Sequence, residues 1–247
     1  MITYEKTNKL TFVAGTLVLG VAIGAAVWWF QAGSGEDGGK VAGAAGQAVS
    51  SWFKGGSASD DLSQALQPKV ADDGRPTDVE PADWASLNGA LSKAGIDAKE
   101  GQKIVSFLRF QHTFEAWQNI DETKEADRRR RVGEALFAQI PERLKTGEFT
   151  PIEANMMGAV LISGIETDEQ ARAKKLEAWQ QQLNQVSPMP TDEAGLQAQF
   201  KKTEYSRRLA SAYDDWQKLE ATDVNRVPAK LESAFADVRR AVNSGEL

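Results

Sequence analysis

His112 is the only histidine in the chain, and the chain contains no cysteine. This composition excludes histidine triads, His-rich metal sites and all thiolate chemistry. In the segment LRFQHTFEAW, no serine or acidic residue accompanies His112 at the spacing of a catalytic motif. The imidazole could titrate near neutral pH or act as a base, but Phe107, Leu108 and Phe114 take the buried positions of the same predicted helix. We therefore expect His112 to be a structural residue, at the surface or half-buried.

Carboxylates are abundant, with 35 Asp and Glu in total, but they form no recognisable catalytic or metal-binding pattern. The adjacent pairs Asp60-Asp61 and Asp214-Asp215 lie in a linker or on different helix faces, unlike the spaced carboxylates of a hydrolase. Calcium-loop, phosphate-loop, G-x-S-x-G and H-E-x-x-H patterns are absent from the sequence. We expect the protein not to be an enzyme, and we expect no catalytic residue, metal or cofactor.

The most concentrated positive charge is a run of four arginines: Arg128, Arg129, Arg130 and Arg131. One interpretation is a docking site for an acidic partner or for lipid headgroups. The alternative is a solvated helix face, because acidic residues flank the run at spacings that allow i,i+3 and i,i+4 ion pairs. Those acids are Glu122, Glu125, Asp127 and Glu134.

Aromatic residues of the C-terminal third form a second candidate surface. The group consists of Trp179, Phe200, Tyr205, Tyr213 and Trp216. Aromatic residues at helical spacing usually belong to a core, but Tyr and Trp are also enriched where proteins bind partners. We therefore expect most of the aromatics to be core residues and the arginine run to be a solvated face, and both groups are the candidate partner-binding residues if a partner is contacted.

Helical periodicity dominates the chain from residue 82 onward and predicts an all-α domain of about seven helices, residues 82–247. Trp84, Leu87 and Leu91 mark a short helix that Gly95 ends, and Asp97 with Glu100 predicts a capping box for the next one. A third helix follows Asp121 and Glu122, with Pro141 breaking or restarting it and Gly147 ending the turn. No segment shows the alternation of a strand.

Further start signals define the remaining helices. Thr150 with Pro151 and Glu153 is the clearest, and the helix it opens is apolar enough to be buried nearly all round. Another helix is capped by Thr167 and Gln170 and has Trp179 and Leu183 facing inward. A long helix then runs from Thr191 to about Leu219, and its inward stripe consists of Leu196, Phe200, Leu209, Tyr213 and Trp216. The last helix follows Pro228 and buries Leu231 and Phe235.

The N-terminal part of the chain contains a predicted membrane anchor, residues 10–30, which has no charged residue. At 1.5 Å per residue it is about 31 Å long, enough to cross the hydrocarbon core. It ends in Trp28, Trp29 and Phe30, which suit the membrane interface, whereas a cleaved signal peptide would be shorter. Basic residues in the lead, residues 1–9, favour a cytoplasmic N-terminus. Residues 31–81 are rich in Gly, Ala and Pro and are predicted to be a flexible linker.

The layout and two local stretches resemble the lipase-specific foldases, steric chaperones that help a secreted lipase reach its active fold, or a related phospholipase accessory protein. The stretches are FEAWQNIDETKEADRRRRVGEALFAQIPERL and AQFKKTEYSRRLASAYDDWQKL. The resemblance implies one anchor, a tether and a helical periplasmic domain that binds a protein client.

These observations lead to one expected function and one alternative. We expect a single-pass protein of the bacterial inner membrane whose periplasmic domain is a chaperone or accessory protein for an exported lipase or phospholipase. The alternative is a structural subunit of an envelope or secretion complex. A net charge of −6 and the lack of a basic domain argue against nucleic acid as a partner.

Overall fold

The structure, a computed structural model, describes residue 62 and residues 66–187 and 192–245. Within these residues it contains seven α-helices and no strand apart from an isolated bridge between Val70 and Pro76. The all-α fold is therefore confirmed for the described part of the chain. In order, the helices are α1 (Pro81–Lys93), α2 (Lys99–Gln118), α3 (Ala126–Thr146), α4 (Pro151–Ile165), α5 (Glu169–Val186), α6 (Glu193–Lys218) and α7 (Pro228–Ser244).

The predicted anchor lies outside the described residues. So do the lead, residues 1–9, and the predicted interface residues Trp28, Trp29 and Phe30. Within the described ranges, none of the helices combines the length and the apolar character that a bilayer crossing requires. The anchor stays a prediction.

α2 is the central helix, because its two halves belong to different cores. Its first half belongs to a core shared with α1, α6 and α7, and its second half packs with α3 and the α3–α4 turn and also contacts α6. α4 packs onto α3, and α5 packs onto α4 and α3. The first core includes Trp84, Leu87, Leu91, Ile104, Val105, Leu108, Leu209, Tyr213, Leu231 and Phe235. The second includes the buried residues Phe110, Phe114, Trp117, Leu136, Ile140, Phe149, Leu161, Ile162 and Trp179.

Two start and stop signals are confirmed in detail. The Thr150 side chain accepts a hydrogen bond from the Glu153 backbone N–H, and the Glu153 carboxylate accepts one from the Thr150 N–H, which completes the predicted capping box. Gly147 ends α3 with φ +79°, a left-handed conformation that only glycine adopts without strain.

Three predictions about helix boundaries were wrong. Asp97 forms no capping box with Glu100, because the N-cap residue is Ala98, and the Asp97 carboxylate accepts from the Lys99 N–H. α5 is capped one residue later than predicted, by Asp168. Pro141 does not break α3, which continues to Thr146. Ile140 and Leu144, on either side of the proline, are buried, so tertiary packing keeps the helix intact despite the missing N–H.

The last residues of the predicted linker belong to the helical unit. Residues 66–80 lie against α2 and α3, and Leu66 and Val79 are buried. The carboxylate of Asp78 accepts from the guanidinium of Arg109, in the middle of α2, with both oxygens 2.6 Å from one nitrogen. Arg109 is only 3% exposed, so this buried ion pair fixes the segment to α2. The linker prediction is therefore corrected for residues 66–80.

Candidate functional site: surfaces for a partner

The structure places most of the predicted aromatic group in the cores. Trp179 is 2% exposed, and its ring centroid lies 4.8 Å from that of Phe137. Tyr213 and Trp216 are buried in the first core with their rings stacked at 6.1 Å, and Tyr205 packs partly buried against that core. Trp179, Tyr213 and Trp216 therefore cannot contact a partner in this structure, which corrects their assignment to a surface.

Phe200 is the exception in this group, because 58% of it is exposed. It lies in the first half of α6, where Leu196, one turn earlier on the same face, is 39% exposed. The prediction that these two residues face inward was wrong. Helical periodicity shows which residues share a face, but it does not show whether another helix covers that face.

Two polar contacts place the middle of α6, one to two turns after Phe200, next to the α3–α4 turn and the start of α4. The Thr203 hydroxyl donates to the Gly147 carbonyl at 3.2 Å, and the Arg207 guanidinium binds the Glu153 carboxylate at 2.5 Å. Next to Glu153 lies Ile152, which is 49% exposed. We name Ile152, Leu196 and Phe200 the α4–α6 patch. The exposure of Ile152 was not predicted, because the sequence indicated that α4 is buried nearly all round.

The arginine run is largely a solvated helix face, as its acidic flanks indicated. Arg128 pairs with Glu125 at 2.7 Å, Arg130 pairs with Asp127 at 3.1 Å, and Arg131 is exposed. Arg129, the remaining member of the run, has a structural role instead.

Arg129 fastens the start of α3 to the end of α2. Its guanidinium lies 4.5 Å from the Trp117 ring centroid and donates to the carbonyls of Trp117 and Ile120, each at 3.0 Å. It also pairs with Glu122 at 2.9 Å. An arginine committed to this many contacts is a structural residue and not a free docking group.

A buried ion pair supports the turn between α3 and α4. Arg143 donates to Glu148 at 2.5 Å and to the Ser106 carbonyl of α2 at 3.1 Å, and it lies over the Phe110 ring. Burial raises the pKa of the Glu148 carboxyl, although the charge of Arg143 opposes this shift. The same ion pair stabilises the α3–α4 turn. Because the Gly147 carbonyl of this turn accepts the hydrogen bond from the Thr203 hydroxyl, the pair also helps to position α6.

His112 is buried, not at the surface, and it contacts α6. Its Nε2 lies 3.3 Å from Oδ1 of Asp214, whose Oδ2 binds Lys218 at 2.7 Å. Burial acts to raise the pKa of Asp214, but the hydrogen bonds and charges of His112 and Lys218 outweigh it, so the pKa of Asp214 lies below its ordinary value. The cluster joins α2 to α6. His112 therefore has a structural role, as predicted, but its burial was not predicted.

No candidate metal site is found in the described ranges, and a cavity at the α2–α6 contact is small. No group of three or more His, Asp or Glu side chains in residues 66–187 and 192–245 could hold a metal ion. A cavity of about 10 Å³ lies between α2, α6 and the α3–α4 turn, lined by residues that include Phe107, Glu148 and Arg207. That volume holds about one water molecule.

Comparison with known proteins gives one family match. Residues 110–228 match the family described as phospholipase C accessory protein PlcR. The matched stretch begins in the second half of α2, contains α3 to α6 and ends at the first residue of α7. No curated protein sequence and no solved structure matches the chain significantly.

The match decides between several expectations. It supports similarity to a phospholipase accessory protein, but not to a lipase-specific foldase in particular. The matched family is one of accessory proteins and not of catalysts, which confirms that the chain is not an enzyme. An accessory protein acts through protein partners, and the matched stretch contains the α4–α6 patch.

Proposed function

We propose that this protein is a membrane-anchored accessory protein that binds and assists an exported phospholipase C in the bacterial periplasm. The observation that carries the proposal is the family match over residues 110–228, which includes four complete helices of the described fold. The structure offers helical surfaces for binding and, in its described part, no candidate metal site. Binding without chemistry is what an accessory role requires.

The location in the envelope is supported by the sequence of the N-terminal part. Residues 10–30 are uncharged and long enough to span a bilayer, and the aromatic residues Trp28, Trp29 and Phe30 suit its interface. Lys6 and Lys9 precede the span, which favours a cytoplasmic N-terminus and a periplasmic helical unit.

Co-expression tests the accessory role. A phospholipase C from the same genome is exported from a bacterial host with and without the full-length chain, and phospholipase activity is measured per amount of exported enzyme. We expect the chain to raise this specific activity. Equal specific activity in both cultures would refute the assisting role.

Affinity purification distinguishes the two functions that the sequence suggested. The full-length tagged chain is solubilised in mild detergent, and the retained proteins are identified by mass spectrometry. We expect the phospholipase to be retained. Retention of a set of integral membrane proteins without the phospholipase would favour a structural subunit of an envelope complex instead.

A third experiment tests the location. Alkaline phosphatase, which is active only after export, is fused to the C-terminus, and an epitope tag is placed at the N-terminus. We expect active phosphatase in the membrane fraction and a retained N-terminal tag. Loss of the tag with release of the fusion would show that residues 10–30 are a cleaved signal peptide.

A further inference from the structure

The α4–α6 patch combines exposed apolar side chains that no helix of the described residues covers. Phe200 is 58% exposed, Ile152 49% and Leu196 39%, although all three belong to regular helices. Single exposed apolar residues are normal on a protein surface. Here, two of them lie one turn apart on α6, and the third precedes Glu153, the α4 residue that pairs with Arg207 of α6. Such a group is typical of an interaction surface.

The patch is held by contacts that fix α6 relative to α4. The Glu153 carboxylate accepts from Arg207 of α6 at 2.5 Å and from the Thr150 N–H at 2.9 Å, so one side chain serves both the ion pair and the helix cap. Thr203 adds a hydrogen bond to the Gly147 carbonyl. A surface supported in this way loses little conformational entropy when a partner binds.

Positive charge borders the patch. Lys201 and Lys202 follow Phe200 directly and are both exposed. Among the residues that the structure describes, neither lysine takes part in an ion pair, whereas Glu204 in the next turn is paired with Arg208. In a chain with a net charge of −6, these lysines form a local basic rim. Charge complementarity therefore calls for a partner with carboxylates around an apolar contact.

We propose that the α4–α6 patch is the docking surface for the phospholipase, with Phe200 as the apolar anchor and Lys201 and Lys202 as the charged rim. This inference rests on the proposed function. The occupant is a phospholipase surface on which an apolar depression is bordered by acidic side chains. Aromatic anchors of this kind carry much of the binding energy of an interface, whereas rim charges mainly accelerate association.

Binding of purified phospholipase C from the same genome to the full-length chain in detergent tests the inference. We expect Phe200→Ser to weaken the affinity about tenfold or more, as for a central interface residue. The double variant Lys201→Glu/Lys202→Glu should lower the association rate at low salt and lose this effect at high salt. Val224→Ser is the matched control, because Val224 is 83% exposed, apolar and inside the family match, but lies beyond α6. It should change the affinity less than twofold.

The outcomes separate this inference from the proposed function. If the wild-type chain binds and activates the phospholipase but Phe200→Ser binds equally well, the docking surface is refuted and the function stands. If the wild-type chain neither binds nor activates, both fail. Unchanged phospholipase binding by Phe200→Ser together with lost self-association would assign the patch to a second copy. Circular dichroism of each variant checks the fold, and exposed positions such as Phe200 should tolerate the substitution.

Discussion

The contact between Gly158 and Trp179 sets how closely α5 packs on α4, and a single methyl group should disrupt it. A Cβ at Gly158 would overlap Nε1 and Cε2 of the indole and lie 2.9 Å from Cδ1. Because Trp179 is 2% exposed and packed beside Phe137, the ring has little room to move away. We expect the clash in Gly158→Ala to lower the free energy of unfolding by about 2–3 kcal/mol, in the upper part of the range for overpacked cores.

Gly89→Ala is the matched control for this prediction. Gly89 is also inside a helix, but a Cβ there would have no neighbour within 4 Å. Both substitutions gain about 0.5–1 kcal/mol of helix propensity, so the difference between the two variants isolates the clash. Urea unfolding of the full-length chain in non-ionic detergent, followed by circular dichroism, measures that difference. Equal stability of the two variants would refute the reasoning.

Further expected outcomes concern the buried charges and the helix cap. Arg143→Met should lower the free energy of unfolding by about 3–5 kcal/mol at neutral pH, and by less in acid, where protonation neutralises Glu148. Urea unfolding at both pH values measures the two losses, and equal losses would contradict an origin in the charge of Glu148. Asp214 has a lowered native pKa, so the stability it contributes is present above about pH 4 and is lost as the pH falls through that pKa. The stability difference between wild type and Asp214→Asn should shrink accordingly in urea unfolding at decreasing pH, and a constant difference would argue against it. Thr150→Ala should cost about 1 kcal/mol by urea unfolding, whereas Thr167→Ala, which removes no cap, should cost much less; equal losses would contradict the capping role.

Local chemistry made part of the fold predictable. The capping box of α4 requires only that Thr150 and Glu153 are three residues apart, and α3 can end where Gly147 adopts the left-handed conformation. Signals of this kind fail where packing outweighs them, as at Pro141, or where the capping side chain accepts from a different backbone N–H, as Asp97 does from Lys99. Propensity is weak compared with tertiary packing, so a proline inside a well-buried helix is tolerated.

Buried polar residues were predictable only in part, because their partners are distant in sequence. Asp78 and Arg109 are 31 residues apart, and Arg207 and Glu153 are 54 residues apart. The periodicity of α2 predicted a surface or half-buried position for His112 and could not show that Asp214 lies opposite. The candidate site was predicted only in part: Phe200 was among the candidate partner-binding residues, but Ile152 and Leu196 were not, because the exposure of a helix face depends on how the described helices pack.

The first core combines the two ends of the helical unit, and this has a consequence for the order of folding. α1 packs against α7, and Lys93 pairs with Glu232, which lies 139 positions later in the chain. The α3–α4 hairpin, in contrast, closes over a turn of four residues, 147–150, and can form early because its loop-closure cost is small. In the export that we propose, α1 would cross the membrane before α7, so Trp84, Leu87 and Leu91 would stay without their final partners until α7 has been translocated. A chain stalled before α7 would expose this apolar face to proteases and to other unfolded chains.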